Sequence, residues 1–201
     1  MPQPGAKASP QRRNRQFHKR QDAILKAASR IIARDGFEGA TIRGVAARAR
    51  INLSGIYYYF ENKEELLYAL QHHAFSTLAD TLRQRLEEIS SPEEKLKAVI
   101  ENHFEFFVSN MDNLKVCVHE IESLSGKYYN EILKLRRKYF GLVKGVISEI
   151  TSGSKHDVDL TALCLFGSLN WVYMWYDPKK NSDIKKLSSQ YLKIFLNGIK
   201  S

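Results

Sequence analysis

The sequence predicts an all-α fold of about nine helices, with an N-terminal helix-turn-helix head and a helical body. Three observations carry that prediction. Apolar residues recur at three- and four-residue spacing through most of the chain. Helix starts and stops punctuate the pattern at Gly36, Thr41, Asn62, Ser91-Pro92, Gly126 and Asp177-Pro178. No segment alternates apolar and polar residues as a half-buried strand does, and there is neither an internal repeat nor a long linker.

Residues 1–18 (MPQPGAKASPQRRNRQFH) mix Pro, Gly, Ser and basic side chains with almost no apolar content, and are expected to be a disordered basic arm. From Lys19 onward, Ile24, Ala27, Ala28, Ile31 and Ile32 mark a helix that Gly36 ends, with Phe37 folding back on the core. Thr41 N-caps a short second helix to about Ala49, with Ile42, Val45, Ala46 and Ala49 facing inward. Arg50-Ile51-Asn52 is a three-residue break, and residues 53–60 form a third short helix. Asn62 and Glu65 are a capping pair for a long helix, 63–89, along which Leu66, Leu67, Leu70, Phe75, Leu78, Leu82 and Leu86 recur. Ser91-Pro92-Glu93-Glu94 starts a helix running to about 109, Pro falling in the first turn. A shorter helix covers 112–123, and Gly126 separates it from an amphipathic one at 128–151. Ser152-Gly153-Ser154 is a loop, 156–176 a mostly apolar helix, and 182–199 the last helix.

Composition narrows the function. The 201 residues suffice for one large domain or two small ones, and 43% hydrophobic with 26% charged residues is ordinary for a soluble protein. The longest apolar run, 161–176, is too short for a bilayer and contains Asn170. With no signal-peptide core at the start, a cytoplasmic location and no membrane contact are expected. Cys117 and Cys164 both sit in apolar stretches and are expected to be buried, reduced thiols. The net charge of +9 is confined to residues 1–60, which hold twelve basic side chains against three acids, while the remainder is neutral. A basic head on a neutral body points to a polyanion as the head's partner.

Two short helices joined by three residues make a helix-turn-helix, whose second helix enters the major groove with its N-terminal residues at the base edges. Those residues are Leu53, Ser54 and Gly55. Gly55 allows close approach, and the Ser54 hydroxyl can donate or accept. A helix turns ~100° per residue, so Tyr57, Tyr58 and Tyr59 fan around it. Ile56 and Phe60 share the inward face with part of Tyr59, which leaves Tyr57 and Tyr58 to direct phenols at phosphates. Thr41 and Arg43 at one helix start and Lys63 at another complete the candidate DNA contacts.

Other chemistry finds little support. His72 and His73 are adjacent and diverge by ~100°, so they cannot share a metal as an i, i+4 pair can. His103 and His119 have no partner at ligand spacing. Ser168 follows Gly167 without a nucleophile elbow, and no phosphate-binding glycine loop occurs. No metal, no catalytic residue and no cofactor is expected, so the chain reads as a non-enzyme.

The stretch TIRGVAARARINLSGIYYYFENKEELL (41–67), with the preceding ILKAASRIIARDGFEGAT, resembles the DNA-binding region of TetR-family transcriptional repressors. Arg50 departs from the pattern, because the family usually has Gly in this turn. An arginine there adopts a left-handed conformation at a cost of ~1 kcal/mol, or else the turn differs slightly. The resemblance implies a DNA-binding domain at 19–65 (motif 41–60) and an effector-binding and dimerisation domain at 66–201. It also implies a homodimer through the last two helices and double-stranded operator DNA as partner. The apolar character of 158–176 agrees with a helix buried against both core and partner. By the same implication, effector binding shifts the long helix at 63–89 and so changes the separation of the two heads.

HEIESLSGKYYNEILKLRRKYFGLV (119–143) and FGSLNWVYMWYDP (166–178) are similar to the subgroup controlling fatty-acid, steroid or aromatic-acid breakdown, regulators that commonly release DNA on binding an acyl-CoA. An apolar cavity among Phe104, Phe107, Cys117, Phe140, Leu163 and Phe166 would house the acyl chain. Arg136, Arg137 and Lys138 would face the CoA phosphates. Two further readings fit the composition: a ligand-binding or catalytic helical protein with an incidental basic head, and a non-specific architectural DNA binder.

Overall fold

A computed structural model of the chain describes residues 10–152, 155–178, 180 and 183–199. Among them are nine α-helices and no strand: α1 (Pro10–Gly39), α2 (Ile42–Ala49), α3 (Leu53–Tyr57), α4 (Lys63–Glu87), α5 (Pro92–Val108), α6 (Met111–His119), α7 (Gly126–Ile150), α8 (Val158–Asn170) and α9 (Ile184–Ile199). A short 3₁₀ turn, Trp171–Met174, follows α8.

The head is α1–α3 with the start of α4, and α1 packs on both α2 and α6. Gly36, at φ 72 and ψ 168, breaks α1 and turns Phe37 into the core. In the body α4 lies along α7 and α5 along α9, with α8 against α7. The long helix α4 is the shared beam: Leu66, Leu67, Leu70, Leu78 and Leu82 are fully buried along it. Each such leucine contributes about 1.5–3 kcal/mol by leaving water. Its start is closed by Asn62, which accepts the Glu65 N–H at 2.8 Å. Glu65 in turn reaches back to the Glu61 N–H.

Four sequence expectations need correction. Residues 10–18 are not disordered but helical, because Phe17 supplies the one apolar anchor of the arm and its ring packs on Tyr59 at 4.7 Å. Residues 1–9 lie outside the description. Helix α3 ends at Tyr57 rather than residue 60, since Tyr59 and Phe60 both bond back to the Ile56 carbonyl and the tight turn delivers Phe60 to the core. Helix α6 stops at His119, four residues early, where Glu120 is drawn into bonds with Phe37 and Ser123. The apolar helix expected to run to 176 changes to 3₁₀ winding at Trp171, which buries Val172 while Trp171, Met174 and Trp175 stay exposed. The expected loop at 152–154 and helix start at 182 fall partly on residues outside the description.

Candidate nucleic-acid interface and effector cavity

The interface is built from caps. The Thr41 hydroxyl oxygen accepts the Gly44 N–H at 3.0 Å and starts α2. Helix α2 ends at Arg50, which adopts the left-handed conformation (φ 56, ψ 45) and is the one non-glycine with positive φ among the described residues. Asn52, expected to be part of a break, is the N-cap of α3, its Oδ1 accepting the Gly55 N–H at 2.8 Å. A Cβ on Gly55 would stand 2.6 Å from that oxygen. A side chain here would therefore have to push the Asn52 cap aside, in addition to any effect on approach to DNA.

The caps point Leu53, Ser54, Tyr57 and Tyr58 outward; Tyr57 is 52% and Tyr58 74% exposed, whereas Ile56 and Phe60 are buried. Tyr59 is half-buried, and Tyr58 stands edge-on against it at 5.1 Å. Arg43, Arg48 and Arg50 are exposed nearby. Phenols and guanidinium groups on a convex helix pair suit phosphate contact, with Ser54 at the leading edge. Lys63 has a different place from the one expected. Its ammonium donates to the Phe37 carbonyl at 2.8 Å and the Glu38 carbonyl at 3.3 Å, and lies 4.3 Å over the Phe37 ring. It fastens α4 to the end of α1, leaving one of its three N–H groups for another partner.

A cavity of about 430 Å³ lies among α4–α8, within the ~300–1,000 Å³ range of small-molecule sites. Phe107, Cys117, Arg136, Arg137, Phe140, Leu163 and Phe166 line it as expected. Phe104 does not, because it faces α9 and packs edge-on against Tyr191 at 4.9 Å. Lys138 is also elsewhere, paired with Asp80 at 3.0 Å. Arg136 turns inward rather than to solvent, donating to the Cys117 carbonyl at 2.9 Å and lying over Phe75. Burial lowers its pKa, and no carboxylate is among the groups acting on it. Arg137 is exposed at the cavity's edge. Burial pushes the Cys117 thiol up to about 12, which keeps it protonated and unreactive. Cys164, expected to be buried, is exposed on the outer face of α8.

Among the lining residues that were not expected there are His103 and Tyr139. His103 stands four before Phe107, so helical spacing alone puts both on one face. Burial drives the imidazole pKa down to about 3, leaving it neutral. Its Nε2 has no hydrogen-bond partner among the described residues, a condition that costs about 1–3 kcal/mol. Among those residues no three His, Cys, Asp or Glu side chains gather as a metal site.

The fold and the head's exposed helix pair define a DNA-binding regulator whose body holds an internal cavity. Family models agree: residues 24–70 match the bacterial regulatory proteins of the tetR family, and residues 90–199 the tetracyclin repressor-like C-terminal domain. The chain belongs to the TetR family of transcriptional regulators, and it is not an enzyme. It is 26% identical over 181 residues to the fatty acid metabolism regulator protein of Bacillus subtilis (strain 168), covering 88% of this chain and 93% of that one. It is similar to the crystal structure of transcriptional regulator FadR from Bacillus subtilis in complex with stearoyl-CoA (TM-score 0.70, 25% identity, 88% and 98% coverage). It also shares the fold of AibR in complex with isovaleryl coenzyme A and operator DNA (TM-score 0.76, 23% identity, 87% and 97% coverage).

Proposed function

We propose that this chain is a dimeric repressor that leaves its operator when an acyl-CoA thioester enters the body. The observation that carries the reading is the cavity. Its wall is mostly apolar and aromatic, and Arg136 brings an inward guanidinium without a carboxylate partner. Arg137 stands at its edge. An acyl chain suits the wall, and the thioester carbonyl or a CoA phosphate suits the guanidinium groups. The stearoyl-CoA bound by the similar regulator supports the same ligand class.

Dimerisation is supported by an unpartnered face. Leu160, Trp171 and Met174 are exposed on α8 and its 3₁₀ extension, and Ile194 is exposed on α9. Contiguous exposed apolar surface of this kind marks an interaction site. A second copy would bring two recognition helices to half-sites about 34 Å apart. Such a regulator acts in the cytoplasm, where the chromosome is; among the described residues no helix is long and apolar enough to cross a membrane.

Coupling between cavity and head has a physical route. Helix α6 walls the cavity with Leu114, Cys117 and Val118, and is followed at its C-cap by Glu120. The Glu120 carboxylate accepts the Phe37 N–H at 3.2 Å, and its carbonyl accepts from Gln71 of α4 at 3.1 Å. Lys63 holds the Phe37 carbonyl from the start of α4. A ligand that displaces α6 or α4 therefore pulls on the head. It releases DNA only insofar as it binds the DNA-incompetent arrangement more tightly.

Gel shift on the DNA upstream of the chain's own gene tests both halves. A salt-sensitive retarded band that long-chain acyl-CoA dissolves is expected. No retardation on any neighbouring promoter at low salt contradicts the repressor, and equal retardation of scrambled DNA makes the chain a non-specific binder. A band that persists at saturating acyl-CoA contradicts the effector.

A further inference from the structure

Resting on the acyl-thioester reading above, we propose that His103 is a specificity residue. Its Nε2–H, closed off within the wall of the unliganded cavity, becomes the donor to an oxygen on the buried part of the effector as the ligand enters, so the preferred effector carries a keto oxygen on its acyl group rather than a plain saturated chain.

The position of the hydrogen follows from a chain of bonds behind the ring. The Leu78 carbonyl can only accept, so the Asn102 atom 3.1 Å from it is the amide nitrogen. Asn102 Oδ1 then lies 2.7 Å from the Thr81 hydroxyl, whose single hydrogen it shares with the Thr77 carbonyl, also at 2.7 Å. The remaining Asn102 N–H serves the Tyr139 oxygen, a bond that favours the phenolate although burial outweighs it and raises the phenol pKa. With its oxygen accepting from Asn102, Tyr139 turns its own hydrogen toward His103 Nδ1, a long contact of 3.5 Å. An imidazole that accepts at Nδ1 carries its hydrogen at Nε2.

That N–H has no partner among the described residues, in a ring that is 1% exposed and lines the cavity. Phe107, Phe166 and Phe104 surround the ring. A phenylalanine or leucine would complete such a wall for a saturated chain, with no donor left over. A buried donor set in an apolar wall favours a ligand with the matching acceptor. It also rejects the analogue lacking that acceptor far more strongly than an apolar pocket rejects an added oxygen.

The test titrates the full-length protein with decanoyl-CoA and with its chain-oxo positional isomers. At least one oxo isomer should bind about tenfold more tightly, equivalent to about 1.4 kcal/mol. The advantage should vanish in His103→Phe and survive in part in His103→Gln, which retains an N–H. Decanoyl-CoA binding as tightly as every oxo isomer overturns the proposal. If no thioester binds at all, the acyl-CoA reading falls, and a CoA-free pair decides the role of His103. Propiophenone should then bind more tightly than propylbenzene in wild type only, while equal binding or none refutes the role. Long-range ¹H–¹⁵N spectra of unliganded wild type give an independent readout: a neutral, Nε2-protonated His103 is expected, and an Nδ1-protonated ring overturns the assignment.

Discussion

The head and the body keep their functional groups on opposite sides of their cores. In the head, Ile56 and Phe60 are spent on packing, and what remains is outside: Ser54, Tyr57, Tyr58 and the surrounding arginines. In the body the unused polar capacity is inside, on the cavity wall: Arg136, held by the Cys117 carbonyl but by no carboxylate, and His103, whose Nε2 has no partner among the described residues, while the outer face of α8 is apolar. A head so arranged is complete in itself and needs only an anion. A body so arranged suits, on the proposed reading, a ligand within and a second copy across α8 and α9. On that reading one half binds DNA and the other controls when it lets go.

That contrast can be broken at its strongest point by charging the apolar face. Leu160→Glu combined with Trp171→Glu should yield a monomer in sedimentation at micromolar concentration. Operator affinity should fall about 100-fold, or ~2.7 kcal/mol. A variant that stays dimeric would move the interface elsewhere.

The interior is sharpened by pH. The His103 pKa is depressed to about 3 in the folded protein against 6.5 in the unfolded chain. Between those values the unfolded state binds the extra proton, so stability is full above pH 6.5 and is lost as pH falls. The slope is about 1.4 kcal/mol per unit, which makes about 2 kcal/mol between pH 6.5 and 5. Denaturant midpoints at pH 7 and 5 should show wild type losing that much more than His103→Phe.

On the head, Gly55→Ala should lower stability by up to about 1 kcal/mol in thermal unfolding, because its Cβ displaces the Asn52 cap while alanine's better helix propensity offsets part of the loss. Similarly small, Tyr58→Phe should weaken binding to all sequences by about three- to tenfold, the worth of one hydrogen bond. Ser54→Ala should change sequence preference instead, which a binding-site selection would reveal. Identical behaviour of the two would erase the distinction between phosphate and base contact.

Much of this organisation is legible from local patterns, and what is not depends on side-chain direction or distant contacts. The caps at Thr41 and Asn62, the stop at Gly36 and the strained Arg50 are written within four residues of where they act. Seven of the eight expected cavity residues line the chamber, because they recur on inward faces. Phe104 fails by one position: rotated ~100° from His103, it meets α9 instead. Lys63 and Arg136 were placed by charge alone, yet their contacts are carbonyls 26 and 19 residues away, which no local pattern contains. Helicity at 10–18 likewise depends on Phe17 meeting Tyr59 across the fold.

The most direct test of the account measures operator release and ligand occupancy together, by fluorescence anisotropy of labelled operator titrated with acyl-CoA, on wild type and on Phe166→Trp, which fills the cavity. Release at one acyl-CoA per chain is expected in wild type, and at least tenfold weaker release in the variant. Acyl-CoA bound at that stoichiometry with the operator still held, or release that is the same in both proteins, would contradict it.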